Sequence, residues 1–421
     1  MTYHNAIKFI KGAPNVTPSN SHASKRIQML LDALGNPQKK IKYVRLAGSN
    51  GKTVCAKMIT SILNEAGISN GCLSMPISPE IRHNVLINGE PISMDETVEH
   101  VEKIRGAICA INDQIENQSH VFAPTVHEIL LCLALLSFTG RSCSVCVIES
   151  DHRSEDPSKF LPSPFAAVIC GRIPNEEKQE MATIRSYICR GIREIVSSPQ
   201  NPMAYKMISD TCFEANCRLT LPAKNKFSIT SLSLRETKFS YKDVDYSLSL
   251  CGRFEIDNAL VAIESAKMLS RCGYTISDTH IKDGLRTTRV PSKFEVLSIF
   301  PTIIADSTYK DVAIGAVCDS LADFKELTGT KIRLCLPEGE LIPKYILALE
   351  ARGYEIEQIS AQAMLGEDAL EYPLPVNISK NAKLTAKDAL RDLGHDSMLL
   401  ISGPSNFTNQ LRHEILAILG F

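Results

Sequence analysis

Residues Lys42–Val54 read KYVRLAGSNGKTV, and this stretch decides the fold. Lys42–Leu46 reads as a short strand. A glycine-rich turn, Gly48-Ser49-Asn50-Gly51, follows, and a helix is predicted from Thr53 to about Ala66. Strand, glycine turn and helix in that order make a phosphate-binding arrangement. The glycines let backbone N–H groups turn toward an anion, and the helix N-terminus adds its partial positive charge. Lys52 would offer a point charge to the outer phosphates, and the Thr53 hydroxyl is a candidate magnesium ligand. The loop is shorter than the general Walker pattern, so a glycine turn with a solvated lysine is the competing account. The flanking strand and helix weigh against it.

Outward from the loop, strands and helices alternate. Apolar residues at helical spacing in AIKFI and RIQMLLDALG make Met1–Lys40 a helical lead-in. Gly71–Met75 is the next strand. Glu90–Ile115, opened by Ser93 and Asp95, and Val126–Ser137 read as helices. Ser144–Glu149 and Ala166–Cys170 are apolar strands. Such alternation implies a parallel sheet covered on both faces. Ile229–Leu250 departs from it, with polar and apolar residues alternating as in an antiparallel excursion. A helix resumes over Asn258–Cys272, and Arg286–Lys293, with Pro291, reads as a linker. Thr302–Ala305, Lys331–Cys335 and Met398–Ile401 are then strands of a second α/β domain. The expected fold class is therefore α/β: a P-loop-type, parallel-rich sheet domain over 1–292, then a smaller Rossmann-like domain over 293–421.

Bulk properties agree with two domains in 421 residues. Apolar residues make up 44%, charged residues 22%, and the net charge is -1, so no global field draws the chain to nucleic acid or membrane. No apolar run is long enough to span a bilayer, and Met1–Lys11 lacks a signal-peptide core. The expectation is a cytoplasmic monomer. The 14 cysteines are scattered through apolar segments and read as reduced and mostly buried. The one CxxC, Cys143–Cys146, sits in a β-rich run with no second pair at zinc spacing, which favours a structural role.

Several segments carry a family resemblance. LGNPQKKIKYVRLAGSNGKT resembles the approach to the nucleotide loop of bacterial folylpolyglutamate and dihydrofolate synthases, whose loop is similar to GTNGKGS; the related muramoyl ligases use GTNGKTT. NVLINGEPIS (Asn84–Ser93), VHEILLCLALLSF (Val126–Phe138), LCGRFEIDNALVAIESA (Leu250–Ala266) and VPSKFEVL (Val290–Leu297) resemble further segments of that family. The resemblance implies a Mur ligase-like fold, with ATP and Mg2+ as cofactors. It also implies a reaction in which a carboxylate is activated by phosphorylation and then attacked by an amine. In the folate branch the carboxylate is a pterin compound and the amine is glutamate.

The resemblance also assigns residues. Gly48, Ser49, Asn50, Gly51, Lys52, Thr53 and Val54 form the nucleotide loop. Glu149, ending an apolar strand, joins Thr53 at the first magnesium. Asn258 matches an asparagine near the adenine-side helix, although a helix N-cap role explains it equally well. Lys293 replaces a linker arginine that reaches ATP phosphate, keeping the charge without the planar fork. Asp306 matches an aspartate opening the second domain, and Arg82 an arginine of a loop near the substrate. Catalysis would rest on Lys52, Glu149 and Asp306.

Other positions depart from the family. Met75 stands where a serine ligates magnesium, Cys189 where a carbamylated lysine holds a second one, and Tyr309 where a histidine is usual. These departures imply altered metal use. They keep open a paralogue that binds Mg-ATP but acts on a non-folate carboxylate, or one that only binds. A kinase or ATPase of another family would explain the loop but not the other segments.

Overall fold

The computed structural model describes residues 1–14, 23–48, 50–75, 77–78, 80–114, 122–150, 156–174, 178–189, 191–307, 311–324, 327, 329–363 and 372–420. Contacts divide the chain into two units, one of residues 1–223 and 258–285, the other of 224–257 and 286–421. A single boundary at 292/293 is what the sequence leads one to expect. The contacts instead group the antiparallel excursion with the C-terminal residues.

The first unit opens with helices α1 (Tyr3–Lys11) and α2 (Ala23–Ala33). Strand β1 (Tyr43–Gly48) leads into α3 (Lys52–Glu65), and β2 (Asn70–Leu73), β3 (Val85–Ile87) and β4 (Glu90–Pro91) follow. Helices α4 (Met94–Asp113) and α5 (Val126–Gly140) precede β5 (Val145–Glu149) and β6 (Ala166–Cys170). The unit continues with α6 (Lys178–Cys189), β7 (Glu194–Ser197), α7 (Pro202–Glu214) and β8 (Arg218–Thr220). Among the described residues its sheet has eight strands in the order β4-β3-β2-β5-β1-β6-β7-β8. The run from β2 to β8 is parallel, and only β3 and β4 pair antiparallel. Every residue of β1, β5 and β6 is buried. That explains why these strands read as unbroken apolar runs: helices cover both faces. Each large apolar side chain so buried contributes about 1.5–3 kcal/mol.

Ser93, expected to open a helix, caps α4 by accepting from the Glu96 N–H. Thr125 with Glu128 forms a reciprocal capping box on α5. Helix α5 is apolar almost all round and buried, as its sequence VHEILLCLALLSF requires.

The excursion is a three-stranded antiparallel sheet of β9 (Phe227–Leu232), β10 (Thr237–Tyr241) and β11 (Val244–Leu248). Lys242 and Asp243, at φ 50° and 64°, form the two-residue turn between β10 and β11. Both central residues are left-handed, as in a type I′ hairpin. Helix α8 (Arg253–Arg271) starts five residues before the predicted Asn258. Helix α9 (Asp278–Thr287) follows and packs backbone to backbone on α3. A Cβ on Gly284 would lie 2.5 Å from Ile62 Cα, and the Ser61 hydroxyl donates to the Gly284 carbonyl at 2.8 Å.

The second unit's larger sheet comprises β12 (Glu295–Ile299), β13 (Thr302–Asp306), β14 (Lys331–Pro337), β15 (Ile356–Gln362), β16 (Val376–Ser379) and β17 (Ser397–Ser402), interleaved with α10 (Asp311–Ala322), α11 (Leu341–Glu350), α12 (Ala382–Leu390) and the closing α13 (Ser405–Leu419). Its order is β12-β13-β17-β14-β15-β16, parallel except for β12. Leu234 and Cys251, from the excursion, lie in the same apolar cluster as Ile304, Leu334 and Leu400. No helix among the described residues is long and apolar enough to cross a membrane.

Candidate functional site

The turn after β1 takes its shape from two glycines. Gly48 has φ 106°, and a Cβ there would lie 2.1 Å from the carbonyl oxygen of Cys170 at the end of β6. Gly51 has φ 80°, and a Cβ there would lie 2.2 Å from Asn258 Oδ1. A side chain fits at neither position, so the backbone is held against β6 on one side and α8 on the other. Gly51 opens α3 without a side-chain cap, leaving the first-turn N–H groups to an outside acceptor. Asn50 is exposed and Ser49 lies outside the described residues. Val54 turns its side chain into the core, so only its backbone faces the loop.

Lys52 is buried, with Nζ 2.7 Å from the Gly48 carbonyl, which accepts its hydrogen bond. The ammonium therefore spans the turn it belongs to. An anion seated in the turn would meet this cation together with the N-terminal end of α3.

Next in sequence, Thr53 points to the neighbouring strand. β1 and β5 run parallel, with Leu46 opposite Glu149, so both strands end at the same edge of the sheet. The Thr53 hydroxyl lies 2.9 Å from Glu149 Oε1 and 3.1 Å from Oε2. The Met75 N–H also donates to Glu149 Oε2, at 3.1 Å. Glu149 is 4% exposed, so its carboxylate is held from two directions out of bulk water. Thr53 and Glu149 together offer hard oxygen donors of the kind magnesium prefers. Among the described residues no three His, Cys, Asp or Glu side chains gather at metal-binding distance. That donor set fits an ion that takes one carboxylate from protein and its other ligands from phosphate and water.

The support beneath Met75 has no counterpart among the residues expected at the site. The Asn84 amide donates to the Ser74 carbonyl at 2.7 Å and accepts from the Ser78 N–H at 2.7 Å, fixing the chain on either side of Met75. No local pattern announces such a bridge across ten residues. Met75 itself meets Glu149 through its backbone, a contact that does not depend on residue type.

The N-cap account of Asn258 is corrected: it sits in the second turn of α8, and its side chain supports Gly51 rather than a helix end. Arg82 is engaged within the protein, stacked 5.7 Å from the centroid of the Tyr3 ring and donating to the Ile92 carbonyl at 3.1 Å. Beside it, burial pushes the His83 imidazole below its ordinary pKa. Cys189 is exposed at the end of α6, and Tyr309 lies outside the described residues. Cys143 and Cys146 are buried free thiols, as a structural role requires.

Lys293 and Asp306 belong to the second unit. Asp306 ends β13 and is buried; its Oδ2 accepts from the Phe294 N–H at 2.8 Å. Asp306 thus holds the turn that carries Lys293.

No family model matches the chain. It is 25% identical over 336 residues to the folylpolyglutamate synthase of Lacticaseibacillus casei, covering 76% of this chain and 77% of that protein. It is 25% identical over 318 residues to the dihydrofolate synthase/folylpolyglutamate synthase of Bacillus subtilis, covering 70% and 71%. Its fold matches a solved folylpolyglutamate synthase in complex with AMPPCP and folate, with a TM-score of 0.78 and 20% identity over 100% of both chains.

Proposed function

We propose that this chain, a divergent member of the folylpolyglutamate synthase and dihydrofolate synthase family, is an ATP-dependent ligase that joins a folate-type carboxylate to the amino group of glutamate. The observation that carries the proposal is the contact between Thr53 and Glu149 beside a glycine loop that Lys52 spans. An anion cradle next to a hard-oxygen pair is suited to a magnesium-bound nucleoside triphosphate.

In this reading the backbone from Gly48 to Val54 holds the phosphates and Lys52 neutralises the outer ones. Asn258 braces the loop. Thr53 and Glu149 hold the magnesium, which supplies positive charge to the phosphate oxygens. Lys293 and Asp306 join on the strength of the resemblance, Lys293 as a cation for phosphate. The chain's own contribution is positioning and charge neutralisation, which dominate phosphoryl transfer. The overall reaction consumes carboxylate, amine and ATP and yields amide, ADP and phosphate.

The test is ADP release with ATP, a reduced folate and glutamate, omitting each in turn. Release that needs all three supports the proposal. ATP binding without folate- and glutamate-dependent release would overturn the ligase reading and leave a nucleotide-binding protein.

A further inference from the structure

Helix α7 ends in a left-handed turn. Asn216, at φ 52°, carries the chain out of the helix. Its N–H donates to the Phe213 carbonyl at 3.2 Å, and the next N–H, that of Cys217, donates to the Cys212 carbonyl at 2.8 Å. These two bonds make a Schellman motif, which folds the residue after the left-handed one back over the last turn of the helix. The two positions paired in this way usually hold apolar side chains. Here both hold cysteine.

Cys212 and Cys217 are 2% and 8% exposed and share one apolar cluster with Ile195 and Ile208. Their sulfurs are in contact: the Cys212 thiol donates a hydrogen bond to the Cys217 sulfur. That bond holds the Cys217 thiol below its ordinary pKa, against burial and the nearby Glu194 carboxylate. The same bond, together with burial, pushes the Cys212 thiol up. One sulfur of the pair is thus inclined to ionise, beside a neighbour that keeps its proton. The place of the pair in the fold lets it adjust. Cys217 stands immediately before β8, which ends the sheet and, among the described residues, pairs only with β7. The other hydrogen-bonded pair, Cys143 and Cys146, has no such freedom, since Cys146 is held in β5 between β1 and β2.

We infer that Cys212 and Cys217 form a peroxide-sensitive dithiol that closes to a disulfide and ties the end of α7 to the edge strand β8. Cys217 is the attacking sulfur. As a thiolate it attacks one oxygen of hydrogen peroxide; an S–O bond forms, the O–O bond breaks, and the leaving hydroxide takes a proton from solvent to become water. The sulfenic acid so formed on Cys217 already has the Cys212 sulfur beside it. An S–S bond forms, the S–O bond breaks, and the hydroxide leaves with the Cys212 proton as a second water. The two thiols give up two electrons and the peroxide accepts them. This chemistry lies within the first unit and stands independently of the ligase reading.

The experiment treats the folded full chain with hydrogen peroxide, unfolds it in iodoacetamide to block every remaining thiol, and maps the tryptic peptides by mass. Both cysteines fall in one peptide, Met207–Arg218, cut after Lys206 and Arg218. That peptide should be two hydrogens lighter and free of alkylation, and dithiothreitol should restore both thiols. Cys143 and Cys146 should remain thiols and be alkylated. The wild-type map needs no substitution, so it stands whether or not a variant folds. In Cys212→Ser the attacking sulfur has lost its partner, so dimedone should trap a sulfenic acid on Cys217. In Cys217→Ser, Cys212 should stay reduced under the same treatment. The exposed thiols Cys109, Cys189 and Cys272 report that oxidant was present in effective amount. If they react while Met207–Arg218 stays reduced, the inference fails. A disulfide from Cys212 or Cys217 to any other cysteine overturns the pairing, and dimedone trapped on Cys212 in Cys217→Ser overturns the role given to Cys217.

Discussion

The hydroxyl of Thr53 is hydrogen-bonded to the carboxylate of Glu149, although 96 residues separate them in the chain. A metal ion entering between them would take the place of that hydrogen bond. Glu149→Gln keeps an oxygen to accept from Thr53 or from the Met75 N–H but removes the charge. We expect Mg-ATP affinity to fall about tenfold or more, equal to roughly 1.4 kcal/mol, while ATP affinity measured in EDTA changes little. Calorimetry with and without magnesium checks this; equal losses in both buffers would detach Glu149 from the metal.

Lys52→Ala removes the cation that spans the loop and its hydrogen bond to Gly48. ATP affinity should weaken roughly tenfold or more, again about 1.4 kcal/mol. Wild-type affinity in the variant would refute the assigned site.

Gly51→Ala meets two obstacles, a φ of 80° and Asn258 Oδ1 at 2.2 Å from the new Cβ. The expected loss of stability is about 1–3 kcal/mol from backbone strain alone, plus the collision. In an Asn258→Ala background the collision disappears and the strain remains, so the same substitution should cost less there. Denaturant melts of the four proteins settle the comparison; an identical cost in both backgrounds would mean that Asn258 does not press on Gly51 in solution.

The loop was legible because its signal is local: two glycines, a lysine and a threonine between a strand and a helix. Glu149 was legible because it ends an apolar strand. Asn258 was misread because α8 begins five residues earlier, at Arg253, and an asparagine inside a helix looks in sequence like one that opens it. The turn around Lys293 carried no warning, since Ser292 and Phe294 do not advertise a left-handed backbone; the Ser292 hydroxyl is held by Asn409 on α13, over a hundred positions away. The Ser74–Asn84 tie was hidden because an asparagine amide reaching back ten residues leaves no periodic or turn pattern in the sequence.

Glu357 offers a pH test in the second unit. Hydrogen bonds from the Arg333 guanidinium and the Ser397 hydroxyl hold its carboxyl down from the ordinary 4.5 to about 2. A carboxylate with a depressed folded pKa stabilises the protein above its unfolded pKa and loses that effect as pH falls through the folded value. Glu357→Gln should therefore be less stable than wild type at neutral pH, with the gap narrowing between pH 4.5 and 2. Unfolding curves that stay equally far apart down to pH 2 would contradict it.

Cys189 occupies the position at which the family resemblance places a carbamylated lysine. We expect turnover to be indifferent to added bicarbonate in the wild type. A Cys189→Lys variant gives the comparison, because any bicarbonate response should appear only there. Wild-type activity that rises with bicarbonate would show that a lysine elsewhere does this work.

The close seat of Gly284 on Ile62 has a consequence for biosynthesis. Helix α3, which begins at the nucleotide loop, is complete early in translation, yet its partner lies 223 residues further on, counted from Ser61. At ordinary elongation rates that is a delay on the order of 10–45 s. Until then the nascent first unit has an apolar flank with nothing of its own to lay against it. A ribosome stalled anywhere in the excursion of 224–257 would hold a chain that carries the whole loop but not the helix that backs it. Such a chain is a natural client for a chaperone, and ATP should protect it from proteolysis far less than it protects a chain released after residue 285.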